Sequence, residues 1–416
     1  MLLIFHRAPV FSCEYANWLE GYVGKVALII SEEANKPLNR NIKFVPKSER
    51  YDQIFFLNDY DNDDALRSIV EDLGRNTRIS DIIAPYEFDL SRAADFRQKL
   101  GLRGQSPDSA KAFRDKLLMK QLAKDAGLIN QRFAAVENWE QLADFHAQSN
   151  GKPIILKPRS GAASRGVMRV DDPIRQRSVI EESFENPLFI SPDHMVEEFV
   201  EGEVHHIDGL VLEGDVRLIW PSRYITGSLD FQKQNGQTIS SAMLDPNADL
   251  TARLKSYVSK LLQVLPTPEN CTFHCEVFVK ADATIELCEI ASRTGGVRIK
   301  HAMQRAFGVD IAKACMRADL GLEQQFDRLP DSPKQLTGWA TMAGCGGRVQ
   351  SIPEDCNVPG VYDYQKVASV GDIVSGPRSA VDYIANCDIE GQNFDSIVSS
   401  INLARSWFYS EFSTLS

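Results

Sequence analysis

The sequence predicts a mixed α/β protein of several domains, with a parallel sheet near its N-terminus and a β-rich segment at its C-terminus. Over the first hundred residues, strand-like apolar runs alternate with a helical pattern, which is typical of a parallel sheet with right-handed crossovers. Amphipathic helices and strands continue to about residue 330, and glycines with short β-like runs follow. The 416 residues are too many for one hydrophobic core, so roughly two to four domains are expected.

The first domain is predicted over residues 1–105. A helix is expected over Asp89–Leu100, with Asp89 as its N-cap and Gly101 as its terminator. A G-x-G-x-x-G motif does not follow the first strand, so the fingerprint of dinucleotide-binding domains is absent. The predicted strands are three apolar runs: Lys25–Ile30, Tyr51–Leu57 and Ser80–Ala84.

Helices and strands then alternate up to a long polar segment. One helix is predicted over residues 106–128, where Gly127 is placed to end it, and a second over Trp139–Gln148. Strands are expected in "HMVEEFV", "EVHHIDGLV" and "DVRLIW". The segment Pro221–Ser240 has no clear period and is predicted to be a loop, and Asp249–Leu265 has the period of an amphipathic helix.

Composition narrows the function classes. With 46 basic and 57 acidic residues, the net charge of −11 argues against a non-specific nucleic-acid binder. The start "MLLIFHRAPVF" has too short an apolar run for a signal peptide, and no run is long enough to cross a membrane. The eight cysteines form no C-x-x-C pair and complete no zinc set, so reduced thiols in the cytoplasm are expected.

The stretch "ILKPRSGAASRGV", residues 155–167, indicates an anion site. An apolar strand ends in Lys157, and the loop after it consists of small residues with Arg159 and Arg165. Small residues let backbone N–H groups approach a phosphate, and the cations balance its charge. A surface hairpin with a solvated lysine is the alternative.

The segment "FHCEVFVKADATIELCEIASRTGG", residues 273–296, predicts a β-hairpin with two facing carboxylates. A four-residue loop would place Glu276 directly opposite Glu289. The same register would place Phe278 opposite Leu287. Like charges about 5 Å apart are destabilising unless something bridges them, and a divalent cation such as Mg²⁺ is a natural bridge. Two solvated glutamates on an exposed face are the alternative.

Four motifs, in order and at plausible spacing, resemble the ATP-grasp carboxylate–amine ligases, and among them the L-amino-acid ligases (dipeptide synthases). The resemblance covers residues 80–310, and residues 331–416 resemble the C-terminal domain of that branch. It implies an ATP-grasp fold with a Rossmann-like domain (1–105), a small ATP-grasp subdomain (106–190), a large one with the metal site (191–330) and a β-rich C-terminal domain (331–416). The motifs are "DKLLMKQLAKDAGL", "IILKPRSGAASRGV", "VEEFVEGEVHHIDGLV" and "CEVFV…ELCEIASRTGG".

The resemblance implies how ATP would be held. Two lysines would bind the phosphates from opposite sides, and a small-residue loop would cover them. A hinge strand would bind adenine through the Glu198 carbonyl and the Val200 amide, and Glu203 or a neighbouring residue would bind the ribose hydroxyls. The residues assigned to the nucleotide are Lys116, Lys157, Ser160, Ser164, Gly166, Glu197, Glu198, Phe199, Val200, Glu203 and His206.

The resemblance also implies a metal site and catalytic residues. Glu276 and Glu289 match the magnesium ligands of the family, with two Mg²⁺ ions expected and Mn²⁺ as a substitute. Arg293 matches an arginine that neutralises the phosphoryl group and the acyl phosphate, acting with Lys157. Arg298 would bind a substrate carboxylate, or else form a surface salt bridge.

Three positions depart from the family pattern or allow another role. Ala291 stands where many members have an asparagine near the metal. Val204 stands where the ribose-binding acid commonly lies, which weakens the assignment of Glu203. His206 resembles a family histidine near the nucleotide, and a packed structural histidine is the alternative.

The function implied is the ATP-dependent joining of a carboxylate to an amine through an acyl phosphate, with ADP and phosphate as products. Small molecules are the expected partners, an amino acid among them, and the resemblance implies a homodimer. Three alternatives remain open: a ligase of another acid or with a thiol nucleophile, a kinase, and a nucleotide-binding module without catalysis.

Overall fold

The chain is a mixed α/β structure with one parallel sheet and three antiparallel sheets among the described residues. The mixed class predicted from the sequence is therefore confirmed. No helix in the described part of the chain is long and apolar enough to span a membrane. The computed structural model describes residues 1–8, 14–35, 49–185, 193–226, 239–376 and 382–415.

The N-terminal part is a four-stranded parallel sheet, as the alternating pattern predicts. Its strands are β1 (Leu2–His6), β2 (Val26–Ser31), β3 (Gln53–Leu57) and β4 (Asp81–Ile83). The order is β3-β2-β1-β4, so β1 is central. β1 is not among the predicted strands, although its first four residues form a continuous buried apolar run like that of β2.

Three helices accompany this sheet: α1 (Tyr15–Trp18), α2 (Asp63–Asn76) and α3 (Leu90–Leu100). Gly101 follows α3 with a φ of 64° and ends it as predicted. Asp89 occupies the N-cap position, but its side chain makes no capping bond. Its carboxylate pairs with Arg7 and Arg92 instead.

The single helix predicted over residues 106–128 is wrong, because the chain forms two helices. They are α4 (Pro107–Arg114) and α5 (Lys116–Asp125). Asp115 breaks the helix with a ψ of 101°, and its side chain accepts the amides of Leu117 and Leu118. A break with a cap of its own makes Lys116 the first residue of a helix.

A smaller antiparallel sheet follows, in the order β5-β8-β6-β7. Its strands are β5 (Phe133–Val136), β6 (Ile154–Pro158), β7 (Met168–Val170) and β8 (His194–Glu198). Its helices are α6 (Trp139–Gln148), which has the predicted bounds, and α7 (Arg177–Glu185). β6 is buried along its length and carries Lys157.

The largest sheet is antiparallel and begins with β9 (Glu203–Leu212), β10 (Asp215–Tyr224), β11 (Ser240–Met243), β12 (Cys271–Val279) and β13 (Ile285–Ala291). Its helices are α8 (Asp249–Val264), α9 (Ile299–Phe307) and α10 (Ile311–Asp319). The loop predicted over Pro221–Ser240 is wrong at its start, since β10 continues to Tyr224. Most of that prediction, residues 227–238, lies outside the described residues.

The C-terminal strands are β14 (Leu336–Met342), β15 (Gly347–Ser351), β16 (Val361–Lys366), β17 (Ile373–Val374), β18 (Ala385–Gly391) and β19 (Ser413–Leu415). The large sheet runs β13-β12-β9-β10-β11-β14-β18-β16, so it continues across residue 331. Helix α11 (Phe394–Glu411), which the sequence prediction lacks, buries Ile397, Ile401 and Phe408 in the same core. The C-terminal part is therefore packed as an extension of the large sheet.

Candidate active site

Glu276 on β12 and Glu289 on β13 lie directly opposite each other, as the hairpin register predicts. The register nearer the turn differs from the prediction, because Phe278 pairs with Glu286. The Lys280 amide donates to the Thr284 carbonyl at 2.9 Å, so the loop is one residue shorter than expected. A β-bulge then restores the predicted pairing of the two glutamates.

The two glutamates line a cavity of about 310 Å³ between the small and the large sheet. Most of the predicted nucleotide and metal residues meet here: Lys116, Lys157, Ser164, Glu197, Glu198, Phe199, Val200, Glu276 and Glu289. The remaining predicted residues lie outside its lining: Ser160, Gly166, Glu203, His206, Arg293 and Arg298.

A larger cleft of about 1060 Å³ lies between the N-terminal sheet and α10, lined among others by Asp81, Arg103, Glu213 and Asp319. None of the sequence-predicted site residues lines it. Volume alone is a weaker guide than convergent polar groups, so we place the candidate site in the smaller cavity.

Lys157 is buried on β6 and pairs with Glu197 of β8, with 2.7 Å between Nζ and Oε1. Burial opposes the charge of Lys157, but the Glu197 carboxylate outweighs it and raises the pKa of the lysine. The other oxygen of Glu197 lies 3.0 Å from Nζ of Lys120. Glu197 therefore orients Lys157 at the cavity wall while a second buried lysine balances the charge.

Lys116 joins the metal candidates to the loop after β6. Its Nζ lies 2.9 Å from Oε2 of Glu289 and donates to the Gly161 carbonyl at 2.8 Å. Its backbone amide donates to the Arg159 carbonyl at 2.9 Å. The two predicted phosphate lysines thus enter the cavity from different elements, α5 and β6.

The loop Ser160–Gly166 connects β6 to β7, and we call it the phosphate loop. Ala163 and Ser164 have φ values of 55° and 56°, in the left-handed region that side-chain-bearing residues rarely occupy. Gly166 follows with a φ of 73°. Backbone strain of this kind concentrates in ligand-binding segments, which supports the sequence prediction for this loop.

The hinge segment Glu197–Val200 presents backbone groups to the cavity. Gln131 donates its side-chain amide to the Glu198 carbonyl at 2.5 Å, and that carbonyl keeps a second lone pair. The amides of Glu198 and Phe199 donate to carbonyl groups of neighbouring segments. Of these three successive amides, the Val200 amide is the one left for a ligand among the described contacts.

Glu203 is displaced from the position expected of a ribose-binding residue. Its side chain is 58% exposed and pairs with Arg223 at 2.8 Å. Glu201 and Val204, on either side of it, line the cavity instead. Glu201 is therefore an acidic neighbour of Glu203 that lines the cavity, although the sequence analysis does not name it.

Behind Glu276 lies a buried chain of polar side chains, which we call the histidine network: His274, Asp208, His206 and Ser241. Asp208 bonds Nδ1 of His274 at 2.8 Å and Nδ1 of His206 at 2.5 Å, and Nε2 of His206 bonds Ser241 at 2.6 Å. The two histidines and Asp208 have metal-ligand side chains. Their spacing is that of direct hydrogen bonds, which favours a network over a metal site. These contacts also favour the structural alternative for His206.

The network fixes the charge of Glu276. Burial opposes the charged form of His274, yet Asp208 raises the pKa of the imidazole to about 9. Burial would raise the pKa of Glu276, but the bonds from His274 and Tyr224 lower it. Glu276 is therefore a carboxylate at neutral pH, facing Glu289. Two facing carboxylates with room for phosphate oxygens and water fit the ligand preference of Mg²⁺.

Arg293 lies beside the cavity and is held by a residue of the N-terminal part. Its Nε lies 2.6 Å from Oε2 of Glu87, and Nη1 donates to the Thr294 carbonyl at 2.9 Å. Burial lowers the pKa of the guanidinium, whereas Glu87, Glu289 and Glu276 raise it more. Arg293 is thus within electrostatic reach of both Glu276 and Glu289.

Arg298 lies in a different environment from Arg293. It is buried and bonds both oxygens of Asp388 on β18, the Nε–Oδ1 distance being 2.8 Å. Gln365 accepts a further bond at 3.1 Å. Asp388 occupies the position on Arg298 that the sequence analysis assigns to a substrate carboxylate. These contacts therefore favour a structural role for Arg298.

Glu87, Arg114, Asp208, His274 and Tyr224 surround the site without being predicted for it. His274 and Glu276 are two positions apart on one strand, as are His206 and Asp208. That spacing places each pair on one face and is the signal by which the network could have been found. Glu87 carries no such signal, because its partner Arg293 is 206 residues away.

Residues 150–301 match a family described as "ATP-grasp domain". The alanine–anticapsin ligase of Bacillus subtilis is 26% identical over 296 residues, which is 64% of this chain and 59% of that protein. The chain thus spans less than two thirds of that relative.

Two solved structures share the fold at low sequence identity. The L-amino acid ligase from Bacillus licheniformis superimposes with a TM-score of 0.75 at 14% identity, covering 100% of this chain and 99% of that one. The biotin carboxylase domain of the Hydrogenobacter thermophilus 2-oxoglutarate carboxylase, solved with MgADP, ADP and bicarbonate, gives a TM-score of 0.69 at 14% identity, covering 99% and 90%.

Proposed function

We propose that this chain, whose residues 150–301 match the ATP-grasp domain family, is an ATP-dependent carboxylate–amine ligase. The observation that carries this proposal is the convergence of Lys116, Lys157, Glu276 and Glu289 on one cavity. A module that only binds a nucleotide has no need for facing carboxylates and two lysines around the same space. The alternative of a non-catalytic module is therefore the weaker one.

The nucleotide is assigned to the cavity residue by residue. Lys116 and Lys157 bind the phosphates, and the phosphate loop (Ser160, Ser164 and Gly166) covers them. The Glu198 carbonyl and the Val200 amide bind the adenine edge, with Phe199 beside them. Ribose binding by Glu203 is the least supported assignment, because that side chain faces Arg223 outside the cavity.

Glu276 and Glu289 would hold magnesium, and we propose two ions, with manganese as a substitute. Magnesium, when bound, supplies charge neutralisation for the phosphate oxygens. His274 and Tyr224 orient Glu276. Lys116 pairs with Glu289 and would also contact the phosphates. The relative solved with MgADP supports this assignment.

The reaction proceeds in two steps. An oxygen of the first substrate's carboxylate attacks the γ-phosphorus of ATP, the bond to the β-phosphate oxygen breaks, and ADP leaves. An amine then attacks the acyl carbon, loses a proton and displaces inorganic phosphate. Arg293 and Lys157 stabilise the negative charge, and closure of the phosphate loop excludes the water that would hydrolyse the acyl phosphate.

An amino acid is the proposed substrate on at least one side. The names of the alanine–anticapsin ligase and the L-amino acid ligase support this class. A carboxylate other than an amino acid is the second candidate, since the biotin carboxylase domain was solved with bicarbonate. A homodimer stays a prediction from the family resemblance, and a cytoplasmic location stays a prediction from the cysteine pattern.

The proposal is tested by measuring ADP release with magnesium across pairs of amino acids, followed by mass spectrometry of the products. Release of ADP and phosphate with a new amide is the expected result. ADP with a phosphorylated product would identify a kinase, and no turnover with intact ATP binding would identify a binding module. Lys157→Met serves as the inactive control, because it keeps a long apolar stem and removes the charge.

A further inference from the structure

Glu87 links three separate parts of the chain at the edge of the candidate site. It opens a 3₁₀ turn, Glu87–Asp89, just beyond the carboxyl end of β4. One carboxylate oxygen lies 2.6 Å from Nε of Arg293, which follows β13. The other bonds Arg114 at the end of α4. The Glu87 side chain, from the N-terminal part, thus holds one arginine that follows β13 and another at the end of α4.

Arg114 connects Glu87 to the phosphate loop. While Nη1 bonds Glu87, Nη2 of the same guanidinium donates to the Ser160 carbonyl. The neighbouring Gly161 carbonyl is held by Lys116. The start of the phosphate loop is therefore fixed by two cations, and one of these is itself fixed by Glu87.

The Glu87 carboxylate is charged under all ordinary conditions. Burial would raise its pKa, but Arg293, Arg114 and Lys116 lower it to about 2. The side chain is 13% exposed, so water screens these contacts little. Charge-assisted bonds of this kind fix the geometry of a guanidinium better than neutral bonds do.

We propose that Glu87 is a positioning residue that aims Arg293 at the phosphoryl group and, through Arg114, couples the N-terminal domain to the phosphate loop. The inference rests on the proposed function, because it takes Arg293 and the loop as parts of the phosphoryl-transfer site. The reacting phosphoryl group would then meet an arginine and a loop that are already in place. Such preorganisation lowers the cost of reorganising charge during the reaction.

The rival explanation is a purely structural ion pair that stabilises the domain interface. Asp89 offers a matched control, since it lies in the same 3₁₀ turn and is buried with two arginine partners, Arg7 and Arg92. Those arginines contact neither the phosphate loop nor Arg293 among the described contacts. Asp89→Asn therefore removes a comparable charge without touching the proposed linkage.

The decisive measurement is hydrogen exchange of peptides covering Ser160–Gly166 in the nucleotide-free full-length protein and with a non-hydrolysable ATP analogue and magnesium. Glu87→Gln should speed exchange of the loop in the nucleotide-free protein by on the order of tenfold, the effect expected for losing a hydrogen bond to a charged group. Asp89→Asn should leave the loop unchanged. This readout needs no turnover, so it is independent of whether the protein proves to be a ligase.

Arg114→Gln cuts the linkage at its second contact and keeps the test valid if Glu87→Gln folds poorly. It should speed loop exchange as Glu87→Gln does, and the double variant should add nothing further, because both changes act through one path. Where turnover is found, Glu87→Gln should lower kcat more than it raises KM for ATP. Unchanged loop exchange in both variants, or equal acceleration in Asp89→Asn, would overturn the proposal.

Discussion

Glu276 and Glu289 face each other across the β12–β13 hairpin, and a different cation holds each of them. Lys116 lies 2.9 Å from Glu289, and His274 lies 3.4 Å from Glu276. The repulsion expected between facing carboxylates is therefore already compensated without a metal. Magnesium would have to compete with these cations, so we expect the pair to hold a divalent ion only in combination with phosphate oxygens.

Removing either carboxylate should abolish most of the stabilisation by magnesium and ATP. Wild-type protein should gain on the order of a few kcal/mol at saturating ligand by mass action, and Glu276→Gln and Glu289→Gln should gain much less. The measurement is melting temperature against magnesium concentration at fixed ATP. Asp282→Asn, an exposed carboxylate at the hairpin turn, is the control and should keep the wild-type response. A wild-type response in both glutamine variants would mean that the pair is not the metal site.

The hairpin shows what the sequence predicts well. Two runs of alternating apolar residues and a turn-like loop lie within eighteen residues, and this local pattern predicts the pairing of Glu276 with Glu289. The register near the turn does not, because the loop closes one residue earlier at Lys280 and a bulge compensates. Local sequence fixes which face a side chain takes more reliably than it fixes the length of a turn.

Contacts between distant segments account for the site predictions that the structure does not favour. The sequence analysis assigns Arg298 to a substrate carboxylate or a surface salt bridge, but its partner is the buried Asp388, 90 residues later. The helix break at Asp115 is equally hidden, because the apolar stripe continues through it. Its cause includes the ion pair between Asp115 and Arg159, 44 residues away. The local sequence pattern around a residue does not show which distant residue will pair with it.

Replacing Lys157 should affect both ATP binding and stability. Lys157→Ala leaves the buried Glu197 with Lys120 as its one remaining lysine, and loss of a buried ion-pair partner costs on the order of 3 kcal/mol. Lys157→Arg keeps the charge and should cost less. Urea unfolding gives the stability, and titration with a fluorescent ATP analogue gives the affinity. Wild-type affinity in a folded Lys157→Ala protein would remove this lysine from the nucleotide site.

The pairing of Arg298 with Asp388 decides between its two assigned roles. If the pair is structural, Arg298→Met should destabilise the protein by on the order of 3 kcal/mol, and Arg298→Met with Asp388→Leu should recover much of that loss. Urea unfolding of both variants measures this. A double variant that is stable but has lost turnover would instead identify Arg298 as a substrate-binding residue.

Asp319, at the end of α10, should make the protein less stable as pH rises from 4 to 6. Burial raises the pKa of its carboxyl to about 6, although Arg97 and a bond from Asn270 oppose the shift. The folded protein therefore binds this proton more tightly than the unfolded chain, whose carboxyl titrates near pH 4. Above pH 6 the carboxylate is charged in both states, and the full penalty for its burial, at most about 3 kcal/mol, remains.

Asp319→Asn removes the charge and should remove this pH dependence. At pH 7.5 the variant should be more stable than the wild type by up to about 3 kcal/mol. Near pH 4 the difference should fall to about half a kcal/mol or less, because the folded carboxyl is then protonated and the unfolded one is about half protonated. Urea unfolding of both proteins between pH 4 and 8 measures the difference. Asp81→Asn is the control, since that carboxylate lines the same cleft. It should give no comparable gain at pH 7.5. A constant offset between wild type and Asp319→Asn at every pH would mean that Asp319 does not titrate differently in the folded protein.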